Sequence, residues 1–480
     1  MRAPGKKPTR KIAPDIAARL SQRFSLKMQP DGNIAASLGD HSVNLGQFSA
    51  AAIERARHLG TGLPLASFTG KSVIAREIDA LVHRLARQGL LEYRLSSSRD
   101  ERDLVVIEPQ VPDYWPRRTQ LGSRDTVVLS RFAYLRRRGN EMVLESPRAG
   151  ALFRIGDPAI AATLAALSQP QKIGKLKAKA PTFDLLLLEL LVDSQILLKL
   201  DAKDGDGSRV NEGDGNLVLW DFHDLVFHTR STEGRQANPV GAAFTYASVV
   251  PPPPAVRPRW PGSKIDLRKF PSPETNSLLP NLLRERHSTR DFDDKHPITL
   301  RELAQFLDTT ARVVSEWKGD PYFEGGPEVA YSARPYPSAG SAYELELYLA
   351  VSNCEGLARG LYHYDAGGHA LVAIGAPAQQ LQNLSLAAKF AMDAPGPPQI
   401  LITIAARFGR VSWKYSSIAY SLILKDVGSL IQTFYLAATD MGLGGCAIGT
   451  TDIDLFAKMT ELELHAEGPV GQFALGRGKI

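Results

Sequence analysis

Cysteine is almost missing from this chain: Cys354 and Cys446 are its only two in 480 residues. Two thiols make neither a disulfide framework nor a cysteine-based zinc site, and such sparing use fits a reducing compartment. Long apolar runs are missing as well. The most apolar stretch, Leu185 to Leu200, is cut by Glu189, Asp193 and Lys199 and falls short of the roughly 20 uncharged residues that a membrane-spanning helix requires. No apolar segment follows the basic residues Arg2, Lys6, Lys7, Arg10 and Lys11, so residues 1–20 read as a basic disordered tail and not as a signal peptide. A cytoplasmic location without a membrane partner is the expectation. Charge of one sign is modest. The formal +6, spread over the whole chain, hints at an anionic partner but does not single out nucleic acid, for which a clustered basic face is the better criterion.

What is present is ordinary globular composition, 44% hydrophobic and 22% charged. A chain of this length builds about two to four domains and has apolar side chains enough for a large core without staples. The strongest internal boundary is Pro251-Pro252-Pro253-Pro254, followed by Pro258, Pro261, Pro271 and Pro273. Helix is excluded there, and a semi-rigid polyproline-II spacer is expected within residues 236–280.

Upstream, Leu85 to Leu95 can be laid over Leu190 to Leu200. Each reads as helix, turn and strand, with Gly89 and Ser194 at the same turn and the alternation Leu91, Tyr93, Leu95 repeated by Ile196, Leu198, Leu200. Helices ending in a short ribbon have the look of winged helix-turn-helix modules; chance likeness of two amphipathic junctions accounts for the same residues. Between the copies Arg117, Arg118, Arg124, Arg131, Arg136, Arg137 and Arg138 interleave with Val127, Val128, Leu129, Phe132, Tyr134 and Leu135. This is either a solvated strand face or a surface for an acidic peptide or nucleic-acid backbone, and a sheet edge can take a peptide as an added strand.

The last 200 residues alternate helix and strand. Thr299 and Glu302 form a capping box ahead of a helix with Leu300, Leu303, Phe306 and Leu307 on its core face. Glu344 to Val351 and Ile400 to Ile404 read as strands, and Leu361 to Ile374 as a hairpin turning at Gly367-Gly368. From Ser416 to Gly442 runs a proline-free stretch, apolar around most of its circumference, that predicts a buried helix about 40 Å long.

Three segments there carry chemistry. In Arg286-His287-Ser288-Thr289-Arg290-Asp291-Phe292, two guanidinium groups and a hydroxyl at spacing two suit a phosphate, although a surface Arg–Asp ladder explains them too. In Arg334 to Ser341 the small residues Ser338, Ala339 and Gly340 permit close backbone approach to a flat ligand, or simply make a tight turn. Met441 to Gly449 is either a glycine C-cap or a ligand-cradling loop. Gly442, Gly444 and Gly445 lack the strand-then-helix context of a dinucleotide fingerprint, so nicotinamide binding is not implied. His223 and His228, five apart in a segment that reads as strand-rich, lack the glutamate of a zinc-protease helix and are read as structural, with no metal site.

In this order and spacing the three segments resemble the FMN-dependent nitroreductase superfamily over about residues 280–480. Tyr336-Pro337-Ser338-Ala339-Gly340, Gly360-Leu361-Tyr362-His363-Tyr364 and Ala437 to Gly444 resemble its SagB/McbC branch, oxidases of azoline-containing peptides. Leu219 to His228, with Thr229, Arg230 and Gly234, is similar to the segment by which that branch enters its oxidase domain. Cyanobactin-type oxidases of the branch also carry N-terminal winged-helix modules akin to peptide-clamp domains, which favours a true repeat.

The resemblance implies an α+β chain: a C-terminal nitroreductase-like FMN domain (281–480), with an antiparallel or mixed sheet, flanking helices and a long central helix. Ahead of it come winged-helix-like modules at 21–112 and 113–235 and the proline-rich linker. It implies FMN as cofactor, bound by Arg286, His287, Ser288 and Arg290, by Pro337, Ser338, Ala339 and Gly340, by Gly445, Ile448 and Gly449, and by Arg477. A cation at Arg290 would stabilise charge on the reduced flavin. Lys414 and Tyr415 match the branch's catalytic Lys-Tyr pair: a neutral lysine, its pKa lowered by desolvation and neighbouring cations, removes the Cα proton while hydride leaves for flavin, and the tyrosine orients it or relays the proton. An exposed lysine at a helix N-terminus is the plainer reading of Lys414. The implied partners are an azoline-containing precursor peptide, a cyclodehydratase and a second copy of the chain in a homodimer, with oxygen as final acceptor. Two rival functions stay open, an NAD(P)H-dependent nitro or quinone reductase and a winged-helix DNA-binding redox regulator.

Overall fold

The computed structural model of the protein describes residues 16–21, 24–28, 33–38, 41–68, 72–96, 102–179, 184–200, 212, 214–231, 278–320, 328–415 and 418–479. The proline run Pro251 to Pro273, nearly all of the expected linker and most of the basic tail lie outside the described residues.

The N-terminal region contains two units built in the same order. The first runs β1 (Ile16–Leu20), then after a separate three-stranded sheet (Ser25–Met28, Asn33–Leu38 and His41–Gln47) α1 (Ala50–Ala56), β2 (Leu63–Pro64), α2 (Val73–Arg87) and β3 (Leu91–Ser96), with β4 (Asp103–Pro109) pairing back on β3. The second runs β5 (Thr126–Leu129), then after a hairpin α3 (Pro158–Ala166), β9 (Gln171–Lys172), α4 (Ile173–Lys179), α5 (Leu185–Asp193) and β10 (Leu197–Leu200). In each the first strand sits between the short second strand and the last, as β2-β1-β3 and β9-β5-β10. The hairpin strands β6 (Tyr134–Arg138), β7 (Glu141–Glu145) and β8 (Ala151–Ile155) do not stay with the second unit. They extend the sheet of the first to seven strands, β2-β1-β3-β4-β8-β7-β6, all antiparallel. A boundary at 112/113 therefore separates strands that share one sheet, and β1 precedes the expected start of the first module.

The register of the repeat is one residue off the sequence expectation. The left-handed turn residues are Gly89 (φ 62) and Gln195 (φ 55), not Gly89 and Ser194. Leu90 N–H returns to Leu85 and Ile196 N–H to Leu191, 3.0 Å in both cases. Helix closure fixes the equivalence, and the leucine alternation slips past it. Most of the arginines between the units are engaged: Arg118 with Glu189, Arg136 with Glu145, Arg138 with Glu108, and Arg131 with the carbonyls of Leu217 and Trp220. Glu189, which cuts the apolar run, is buried at 6% exposure on α5 and is compensated by Arg118.

The segment after the units is helical, not strand-like: α6 spans Phe222–Ser231. Its indole neighbour Trp220 packs on Phe408 at 4.4 Å and donates Nε1 to the His465 carbonyl. His228, buried, meets the Tyr420 hydroxyl at 2.9 Å, and Asp224 accepts the Tyr420 N–H. His223 is exposed. No cluster of metal-ligating side chains occurs among the described residues.

The C-terminal domain is an antiparallel six-stranded sheet between helices. After α7 (Leu279–Glu285) and α8 (Leu300–Ala311) come the hairpin β11 (Ser315–Gly319) and β12 (Val329–Ala333), then β13 (Leu345–Val351), β14 (Gly360–Asp365), β15 (Ala370–Ile374), α9 (Ala378–Met392), β16 (Ile400–Arg407), α10 (Gly409–Ser412), α11 (Ala419–Asp440), β17 (Gly444–Ile448), α12 (Ile453–Thr460) and β18 (Glu467–Gly476). The strand order is β15-β14-β13-β16-β18-β17. The capping box forms as the sequence predicts: Thr299 Oγ1 accepts from Glu302 N at 3.2 Å and Glu302 Oε2 from Thr299 N at 2.9 Å.

The long helix α11 has 22 residues, about 33 Å at 1.5 Å per residue, shorter than the 27-residue expectation. It stops because Gly442 turns left-handed (φ 65) and Leu443 N–H closes on Ala438. Its buried arc carries Ile423, Val427, Leu430 and Phe434 against Phe306 and Phe473. Ser421, Lys425, Gly428 and Gln432 make a narrow exposed face. No helix among the described residues is long and apolar enough to cross a membrane.

Candidate active site

The first motif lies extended after α7 and is held against β17. Thr289 N–H bonds the Gly445 carbonyl at 2.8 Å, and Thr289 sits where a Cβ on Gly444 would have to go. Gly445 lies against the tip of the Phe473 ring, which leaves no room for a side chain. These two glycines thus have a packing role: they let the arginine segment and Phe473 reach the strand. Ser288 Oγ meets the Tyr435 hydroxyl at 2.9 Å, and that hydroxyl accepts Ala447 N–H at 2.8 Å. Arg286 lies 5.0 Å over the Tyr435 ring. Burial pushes the Cys446 thiol up, with Arg290 and Ser288 pulling the other way. Among the described residues neither Arg286 nor Arg290 has a carboxylate within ion-pair distance. Two cations, a hydroxyl and no resident anion form a donor set that fits a phosphate.

The remaining members of this half differ. His287 is exposed and its Nδ1 meets the Glu285 carbonyl at 3.0 Å. Ile448 is buried at the end of β17, and Gly449 is exposed with open space where a Cβ would stand. Arg477 is drawn to α8: Nη2 bonds Glu302 at 2.6 Å and Nε the His296 carbonyl at 3.1 Å.

The second motif forms a loop over the other side of α11. Tyr336 is buried, Pro337 exposed, and Ser338 turns inward. Asp426, buried on α11, accepts Ser338 Oγ–H at 3.0 Å and Ala339 N–H at 2.9 Å. Glu344, fully buried, lies 3.3 Å from the same Ser338 hydroxyl, which also accepts Tyr343 N–H. Burial first, then the neighbouring Asp426 charge, pushes the Glu344 carboxyl up to about 7. Gly340 is left-handed (φ 57), and a Cβ there would fall 2.6 Å from the Tyr415 hydroxyl and 2.8 Å from Lys414 Nζ. The loop and the Lys-Tyr pair, 74 residues apart in sequence, therefore converge on one spot.

Lys414 follows α10 in a turn five residues ahead of α11, so the helix-dipole consideration does not apply to it. Its Nζ stands 5.8 Å over the Tyr331 ring, and the residue is exposed. Tyr331 also lines a cavity of about 710 Å³ with Arg334, Glu346, His363, Arg407 and Arg410. Tyr435, Asp426, Glu344 and Tyr331 were not singled out by sequence reasoning. Asp426 alone carried a signal, as a carboxylate within an apolar helix.

The two halves are related through α11. Nine residues separate Asp426 from Tyr435, about 14 Å along the axis and half a turn around it. The cation cluster and the Ser338 loop therefore attach to opposite sides of the helix, on either hand of its exposed face.

Two sequence families match the chain: cyanobactin oxidase ThcOx over residues 127–237 and the nitroreductase family over residues 283–477. A Methanocaldococcus jannaschii protein named as a nitroreductase, MJ1384, is 32% identical over 171 residues, which is 36% of this chain and 78% of that protein. The Microcin B17-processing protein McbC of Escherichia coli is 27% identical over 196 residues, 40% of this chain and 66% of that protein. Among solved structures, a Ralstonia eutropha protein described as a nitroreductase aligns with TM-score 0.32 and 22% identity, covering 44% of this chain and 88% of that one. The E. coli microcin synthetase McbBCD complex with truncated pro-MccB17 bound aligns with TM-score 0.37 and 21% identity, covering 58% and 99%.

Proposed function

The chain belongs to the nitroreductase family, as an oxidoreductase of the SagB/McbC type, and we propose that it oxidises azoline rings of a ribosomal peptide to azoles with FMN as cofactor. The observation that carries this reading is the convergence of Lys414 and Tyr415 on Gly340. A base and a hydroxyl over a small-residue loop can take a proton from a flat ring laid against that loop.

Bound FMN supplies the two-electron acceptor, and Arg286, Ser288 and Arg290 are the residues to hold its phosphate end. Lys414 Nζ takes the Cα proton, and Tyr415 fixes the direction of that amine. For this the lysine must be neutral, which requires desolvation, yet Lys414 is exposed in a single chain. Its cover comes from outside the described residues, and a second copy fits: the cation cluster and the loop under the Lys-Tyr pair lie on either hand of the exposed face of α11, so a two-fold axis through that face would bring one chain's cations toward its partner's pair. The cavity beside Tyr331, at about 710 Å³, has room for residues flanking the ring. The two N-terminal units are read as the winged-helix-like modules that dock the precursor peptide or a cyclodehydratase; the second of them overlaps the cyanobactin-oxidase match.

The test is anaerobic mixing of the yellow protein with a short thiazoline peptide. Bleaching of the visible flavin band together with a loss of about 2 Da, two hydrogens, from the peptide is expected. A band that persists with the peptide yet bleaches with NADPH would overturn the reading in favour of a nitro or quinone reductase.

A further inference from the structure

Beneath the loop that meets Lys414 and Tyr415 lie two carboxylates that the reaction itself does not use. Glu344 is fully buried and Asp426 is 6% exposed. Both approach the Ser338 hydroxyl, Asp426 at 3.0 Å and Glu344 at 3.3 Å. A serine hydroxyl has one proton to give. The shorter bond goes to Asp426, whose same oxygen also accepts Ala339 N–H. The contact between Ser338 and Glu344 then has a hydrogen in it only when Glu344 brings one. Among the described residues the other oxygen of Glu344 has no hydrogen-bond partner. A charged carboxylate so placed would be buried beside another charge with half of its acceptor capacity unmet, a costly arrangement. A neutral carboxylic acid would not.

We infer that Glu344 is a positioning residue for the Lys414–Tyr415 pair: in its protonated form it completes the hydrogen-bond cluster with Ser338 and Asp426 and so fixes Ser338 to Gly340 as the floor on which the pair rests. The lever is short. Asp426 holds Ala339 through its backbone, and the next residue, Gly340, is in van der Waals range of both Lys414 and Tyr415. The charged and titratable groups around Glu344 are Asp426 on α11, Tyr336 on the loop, and Arg410 on α10, whose guanidinium bonds the Ala342 carbonyl. Burial and the Asp426 charge hold the carboxyl high, at about 7, so its proton is present below neutrality and leaves as pH rises through it. Two adjacent anions then push the floor apart. The inference rests on the azoline-oxidase reading for its consequence in turnover, but not for its consequence in geometry.

Two readouts on the full-length flavoprotein separate these. The first is the acylation rate of Lys414 by a small anhydride, followed by peptide mass across pH, with Glu344→Gln and Asp426→Asn beside the wild type. A glutamine keeps a donor and an acceptor at all pH. The wild-type profile is expected to carry, near neutrality, a second inflection besides that of the amine, and Glu344→Gln to lack it. The second is flavin reduction by the thiazoline peptide. Glu344→Ala is expected to lower the rate at least about tenfold through misplacement of the pair, with rescue by glutamine and loss of the alkaline decline. Identical Lys414 profiles in wild type, Glu344→Gln and Asp426→Asn would overturn the inference. A wild type that never turns over the peptide yet gives the expected labelling profiles would overturn the azoline reading and leave Glu344 as assigned.

Discussion

Replacing Gly340 by alanine puts one methyl group where the loop meets the Lys-Tyr pair. Two costs can be worked out separately. The backbone there is left-handed (φ 57, ψ 29), which costs a non-glycine residue about 1–2 kcal/mol. The new Cβ would stand 2.6 Å from the Tyr415 hydroxyl and 2.8 Å from Lys414 Nζ, against the roughly 3.5 Å of an unstrained contact. Both atoms are the far ends of side chains, so they retreat by roughly 1 Å at little cost in stability. A displacement of about 1 Å at a reacting group costs on the order of a hundredfold in rate. Gly442 supplies the control: it is equally left-handed (φ 65), and a Cβ there meets nothing within 4 Å. Gly340→Ala and Gly442→Ala should therefore lose similar stability in thermal unfolding, while stopped-flow flavin reduction by a thiazoline peptide, normalised to bound flavin, falls about a hundredfold in the first and hardly at all in the second. Equal rates in the two variants would refute the claim that Gly340 is small for the sake of Lys414 and Tyr415.

Lys414→Ala should keep its yellow colour and lose azoline turnover; colourless protein would move Lys414 from catalysis to cofactor binding. Arg286→Ala and Arg290→Ala should each weaken FMN binding by roughly ten- to a hundredfold, the worth of a hydrogen bond to a charged group, as read by fluorescence titration of the apoprotein. Unchanged affinity in both would place the phosphate elsewhere. Thr299→Ala removes the capping box of α8 and should cost about 1 kcal/mol in chemical unfolding without altering flavin content.

Much of the C-terminal domain was legible because its signals are local. The Thr299 cap, the Gly367-Gly368 hairpin and the apolar strand Ile400 to Ile404 each follow from a few neighbouring side chains, and each forms. The α6 segment reads as strand because Trp220, Phe222, Val226 and Phe227 are side chains that favour strands, over too few residues to separate period 2 from period 3.6. The slip at Gln195 has a different origin: side-chain likeness placed the turn at Ser194, while backbone closure placed it one residue on. The site divides the same way. Arg286, Ser288 and Gly340 stand out as candidates by residue type within short loops. Glu344 was missed because its meaning lies in Asp426, 82 residues away, and no local pattern joins them. Tyr435 looked like one more core aromatic; only its hydroxyl, between Ser288 and Ala447, sets it apart.

Because Asp426 and Tyr435 hang from one uninterrupted helix, the spacing between them behaves like a reading frame. Deleting or inserting a single residue between positions 426 and 435 would turn one cluster by about 100° relative to the other, swinging either the cations or the Ser338 loop away from the shared exposed face. The same change in the turn between β14 and β15 would lengthen a surface bend and leave every partner in place. Substitutions that keep the core positions Val427, Leu430 and Phe434 apolar can thus be absorbed one at a time, while a change in the count of residues along this stretch displaces a whole cluster at once.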